Sequence, residues 1–155
     1  MIQRTLRIVL AAMAVALLTA CGQPQPPPMG TEPSVDGRRT SVLTRIADDR
    51  STIADALTEA AGGRARAAEA TLPLPASSPR LPAFMQLIEP MAAQEKELIA
   101  VLSTLSGLRD GIKAGGPLPS DIETQLSRAE ARAAAAAERD KALRHRLDGI
   151  LGSGS

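Results

Sequence analysis

Apolar positions along the chain fall into one unbroken run and three periodic stretches. The run is Ile8–Leu18, short of the roughly 20 residues a helix needs to cross a bilayer. Further on, Val42, Ile46, Ile53, Leu57 and Ala60 lie along one side of a helix expected over about residues 40–70, which Gly62-Gly63 either weakens or ends. Residues 71–82 contain Pro73, Pro75, Pro79 and Pro82, so they read as a connector.

The second stretch, residues 83–113, has the clearest period. Phe84, Met91, Leu98, Leu105 and Ile112 recur every seven residues. The row Ile88, Glu95, Leu102, Arg109 is half polar, while Leu87, Gln94, Val101, Leu108 is mostly apolar. The apolar stripe is therefore broad, which suits a bundle better than a two-stranded seam. Pro90 lacks an amide hydrogen, so the helix either kinks there or begins there.

Gly115-Gly116-Pro117 marks a stop, and Ser120-Asp121-Ile122-Glu123 fits a capping box that would open a third helix over residues 121–151. In this helix Ile122, Leu126, Ala129, Ala133, Ala136, Asp140, Leu143, Leu147 and Ile150 follow alternating steps of four and three. Alanines in the middle of that row let helix backbones approach closely. Asp140, at a seam position, either pairs with Arg144 on the next turn, or marks an opening to a partner, or is exposed through imprecise register. The last is the simplest reading from sequence. Residues 152–155 read as a flexible tail.

The last two helices are each about thirty residues, roughly 45 Å long, with a short connector. The fold expected is all-α: an elongated antiparallel helical hairpin or a three-helix bundle with coiled-coil-like heptads. Heptads alone do not separate packing within one chain from packing between chains. The segment before the helices, residues 21–39, is expected to be a Pro-rich linker, with Pro24, Pro26, Pro27, Pro28 and Pro33. In extended polyproline geometry, at roughly 3 Å per residue, residues 22–35 would reach roughly 40 Å.

Charge and composition narrow the function. Removal of residues 1–20 takes away two of the 18 basic side chains and none of the 17 acidic ones, leaving one net negative charge. Phe84 is the sole aromatic residue, with no Trp or Tyr. A near-neutral chain without stacking platforms points away from nucleic acid, and from sugar-binding grooves that stack on aromatic rings.

Little in the chain has the arrangement catalytic chemistry needs. His145, the one histidine, lies between Arg144 and Arg146 and reads as a solvated surface residue. Zinc would require two or three companions for it, and a lipidated Cys21 would not supply one. Asp48-Asp49, Glu95 with Glu97, and Glu138 with Asp140 read as solvated acidic faces, because none sits in a calcium-type loop. Neither diglycine carries a P-loop or dinucleotide signature. The expectation is a protein that is not an enzyme and holds no cofactor or metal.

The start of the chain says more. Arg4 and Arg7 precede the apolar run, and Thr19-Ala20 close it, the layout of a secretory signal over residues 1–20. Leu18-Thr19-Ala20-Cys21 resembles the lipobox of bacterial lipoproteins. That resemblance implies cleavage between Ala20 and Cys21, a diacylglycerol on the Cys21 thiol, and in many bacteria acylation of the new amino group. Cys21 is the only cysteine, so no disulfide competes for it. Two or three acyl chains give stable anchoring. Gly22 in place of the Asp that favours inner-membrane retention implies an outer membrane location, facing the periplasm, if the source is Gram-negative. The expected function is a membrane-anchored structural or adaptor protein of the cell envelope, acting through helical contacts with an envelope protein or with itself. The alternative is a small-ligand-binding or inhibitor lipoprotein of the periplasm.

Overall fold

A computed structural model describes residues 34–152, whose regular elements are three helices: α1 (Val35–Glu69), α2 (Leu81–Lys113) and α3 (Ile122–Gly152). They form a three-helix bundle, the second of the two architectures left open by the heptads. The Arg39 guanidinium donates to the Gly116 carbonyl, which sets the start of α1 beside the α2–α3 turn. At the other end, Arg80 Nη2 donates to the Ile150 carbonyl at 2.5 Å, setting the α1–α2 connector beside the end of α3. Hence α1 and α3 run parallel, with α2 antiparallel to both.

Helix α1 begins at residue 35 and so takes in residues 35–39, which the sequence had placed in the linker. Ser34 is extended (φ −51°, ψ 152°), and its hydroxyl accepts from the Gly37 amide at 3.1 Å. Asp36 adds a favourable negative charge to the first turn. The helix continues through Gly62-Gly63 to residue 69. A helical glycine costs roughly 1 kcal/mol relative to alanine, and the buried residues Ala60, Gly63 and Ala67 show tertiary packing across that point.

Helix α2 tolerates Pro82 in its first turn, where the missing amide has no intrahelical partner. It also runs unbroken past Pro90. Phe84 and Leu87 before that residue and Met91 after it are all buried, so one packed stripe spans the proline. The helix ends in a Schellman turn: Gly115 has φ 86°, the Gly116 amide donates to the Gly111 carbonyl, and the Gly115 amide donates to the Ile112 carbonyl, each at 3.2 Å.

The start of α3 differs from the expected capping box. The Glu123 carboxylate lies 2.6 Å from Arg45 on α1 instead of folding back on Ser120. A contact between helices has taken the group that local geometry had reserved for a cap. The Ile122 amide donates to the Pro119 carbonyl at 3.2 Å, and the Gln125 side-chain amide to Asp121 at 2.9 Å.

The core is two apolar clusters stacked along the bundle. The larger holds Ile46 and Ile53 of α1, Leu98 and Leu105 of α2, and Leu126 and Ala136 of α3. The smaller holds Ala67, Phe84, Leu87, Met91 and Leu147. Between them lies a polar layer. Here Asp140, only 1% exposed, accepts from Arg144 Nε at 2.7 Å, while Arg144 Nη2 reaches Glu59 at 2.8 Å. Arg64 of α1 holds Glu95 of α2 in the same region through two hydrogen bonds, at 2.5 and 3.1 Å. Exposure of Asp140 through imprecise register is therefore overturned, and it pairs with Arg144.

Gly63 makes this layer fit. A Cβ added there would come within 2.8 Å of Arg144 Cγ and 2.9 Å of Cδ, whereas one at Gly62 would meet nothing within 4 Å. The Arg144 stem lies where a side chain would otherwise be. Adjacent glycines should thus respond in opposite directions. Gly62→Ala should raise unfolding stability by up to about 1 kcal/mol through helix propensity. Gly63→Ala should lower it by about 1–2 kcal/mol, because displacing Arg144 strips the buried Asp140 carboxylate of its partner. Urea denaturation followed by far-ultraviolet circular dichroism measures both.

Candidate functional site: an acidic groove between α1 and α3

Helix α2 packs extensively against both neighbours, whereas α1 and α3 meet over the fewest residues. Two causes are legible in the side chains. The middle of the α3 face toward α1 is lined by Ala133, Ala134 and Ala137, which reach less far than leucines. Ion pairs cross the gap in place of apolar contact: Arg45 with Glu123 and Glu130, Arg144 with Glu59, and Arg66 with Asp148, at 2.6 to 2.9 Å. Exposed pairs of this type are worth roughly 0.2–1 kcal/mol each and weaken with salt.

A groove of about 170 Å³ opens along this edge, lined by Ile53, Ala56, Ala133, Ala134 and Ala137, with Thr52, Asp49 and Glu130 as its polar members. Its floor is the alanine run of α3. At one end two carboxyl groups from different helices face each other. Glu130 accepts from Arg45 Nε at 2.8 Å. Asp49 lies one turn further along α1, and its Oδ2 is buried without a donor.

Two ionised carboxylates cannot satisfy each other, but a proton held between them can. Burial, and after it the charge of Glu130, pushes the Asp49 carboxyl above its ordinary value of 3.8; Arg45 opposes this. On the α2–α3 edge the balance is the reverse. Glu97 accepts from Arg132 Nε at 2.8 Å, and that hydrogen bond holds its carboxyl below its ordinary value of 4.5. A second depression on that edge is lined by Arg128 and Arg132 along with Val101, Thr104, Gln125 and Ala129. The bundle therefore shows an acidic groove on one side of α3 and a basic one on the other.

The acidic pairs are not the uniformly solvated faces expected from sequence. Asp48 is exposed, but Asp49 is half-buried against α3. Glu95 and Glu97 each hold an arginine of a neighbouring helix. Glu138 is exposed and Asp140 buried. His145 is exposed, as expected. Ala20 and Cys21, the expected cleavage and lipidation residues, lie outside the described residues. No helix among the described residues is long and apolar enough to cross a membrane, and no cluster of three or more potential metal ligands forms among them.

The Asp49–Glu130 contact could be found in sequence only by knowing that α1 and α3 are parallel and in which register. Comparison with protein-family models, curated proteins and solved structures finds no match.

The like-charge contact has a sign that can be checked. Above its raised folded pKa, Asp49 is ionised in both folded and unfolded chains, and its repulsion with Glu130 is present in full. Below 3.8 it is protonated in both, and the repulsion is gone. Asp49→Asn should therefore be more stable than the parent at pH 7, by up to about 1 kcal/mol. That advantage should shrink as pH falls through the folded pKa toward 3.8. Glu97 is common to both chains, so its own pH dependence cancels in the difference. Paired urea titrations from pH 7 to the acid range measure it.

Proposed function

We propose that this chain is a lipid-anchored structural or adaptor protein of the cell envelope, working through helical protein–protein contacts. The observation that carries the reading is the groove between α1 and α3, floored by alanine, open along its side and acidic at one end. At about 170 Å³ it falls below the roughly 300–1,000 Å³ of typical small-molecule pockets. Its form suits one face of a helix or an extended peptide carrying a basic residue, and it lends less support to the alternative of a small-ligand-binding protein. The anchoring half of the proposal rests on the lipobox resemblance around Cys21.

Photo-crosslinking residues placed at Thr52, Ala134 and Ala137 in the full chain, in its native envelope, test the adaptor half. A discrete crosslinked protein, absent when the same residue is placed at exposed Arg146 on α3, is the expected result. A spread of unrelated neighbours or lipids alone would sink it. The anchor is tested separately by labelled palmitate, which should enter the wild-type chain and be lost in Cys21→Ser; label that persists in the variant excludes Cys21 as the attachment point.

A further inference from the structure

Beyond the groove, the outward side of α2 has a pattern the bundle does not use. From residue 81 to residue 109, the charged residues of this helix that are exposed are Glu89 and Lys96. Neither forms an ion pair among the described residues. Their sequence neighbours behave differently, because Glu95 and Glu97, on either side of Lys96, are both tied to arginines of the adjoining helices. Met85 and Ile99 on the same side are 57% and 54% exposed, two of the few large apolar side chains left to solvent.

These positions form a second seam. Met85, Glu89, Ala92, Lys96, Ile99 and Ser103 follow steps of four and three, the spacing that keeps residues on one helical face. The seam is also self-complementary. Counting outward from Ala92, Met85 is seven residues before it and Ile99 seven after; Glu89 is three before and Lys96 four after. Rotating a copy of α2 by a half-turn about Ala92 sets Met85 against Ile99 of the other chain and Glu89 against its Lys96, each contact made twice. Ala92 on the axis admits close approach of the two backbones. A parallel pairing would set Glu89 on Glu89 and Lys96 on Lys96, so charge selects the antiparallel one.

We infer that the outer face of α2 is a homodimer interface, in which two copies pair antiparallel about Ala92 with reciprocal Glu89–Lys96 contacts. The occupant is a second copy of this chain. An isologous interface requires one patch to complement itself, and both the charges and the large apolar residues of this seam do so. The inference is independent of the lipid anchor and of any partner in the α1–α3 groove.

Charge reversal tests it on the full chain purified from membranes in mild detergent, by sedimentation equilibrium across micromolar concentrations. The wild type should dimerise. Glu89→Lys and Lys96→Glu should each weaken the dimer on the order of tenfold, since each turns two attractions into two repulsions. An equimolar mixture of the two variants should recover association, and so should the double reversal in one chain, because both restore opposite charges at each contact. Both residues are exposed, and unchanged helicity by circular dichroism confirms that the variants fold. A wild type that is monomeric throughout overturns the inference. So does a dimer whose affinity ignores the reversals, because it would be using another face.

Discussion

The structure turns on a carboxylate where a leucine would be expected. Asp140 occupies a seam position of α3, buried between two apolar clusters, and its charge is tolerable there because Arg144 reaches it from the next turn. Removing a charge from water costs several kcal/mol, so the arginine must stay in place. To stay, it needs room, and Gly63 of α1 supplies that room. A pairing local to α3 thus dictates which residue of α1 lies opposite. Sliding α1 by one turn would put Glu59 or Ala67 where the stem passes. The same guanidinium reaches Glu59, so the polar layer ties α3 to α1 as well as to itself. Apolar seams rich in alanine specify axial alignment weakly, since one small side chain fits much like another. The polar layer supplies the alignment that the seam does not.

Much of the architecture was legible from periodicity. The heptad row Phe84, Met91, Leu98, Leu105, Ile112 is buried throughout, because a strict period on a long helix leaves one face for the core. Where expectation and structure part, a tertiary contact has outweighed a local rule. Glycine at Gly62-Gly63 costs a helix little compared with the packing on either side of it. Pro90 removes one hydrogen bond from a helix whose buried stripe continues past it. Glu123 belongs by spacing to a cap, yet Arg45 offers it an opposite charge. At the start of α1 the local signal is present, in Ser34 with Asp36 behind it, but the proline-rich stretch before it extends the linker reading over the first five residues of the helix, 35–39.

The candidate groove was far less legible. Asp49 and Glu130 are 81 positions apart, and nothing in their neighbours marks them as a pair. What sequence did show is the alanine run of α3, read as a place where backbones approach. In the structure the same small side chains line a gap instead, and ion pairs cross it. Small residues permit closeness without enforcing it, and here arginine–glutamate bridges span what they leave open.

Because α1 starts beside the α2–α3 turn and α3 ends beside the α1–α2 connector, the two ends of the helical domain lie at opposite poles. Tension applied between those ends would slide the helices past one another and would not peel one away. In that geometry the Arg45, Arg64, Arg66 and Arg144 bridges resist together, as rungs strained at the same moment.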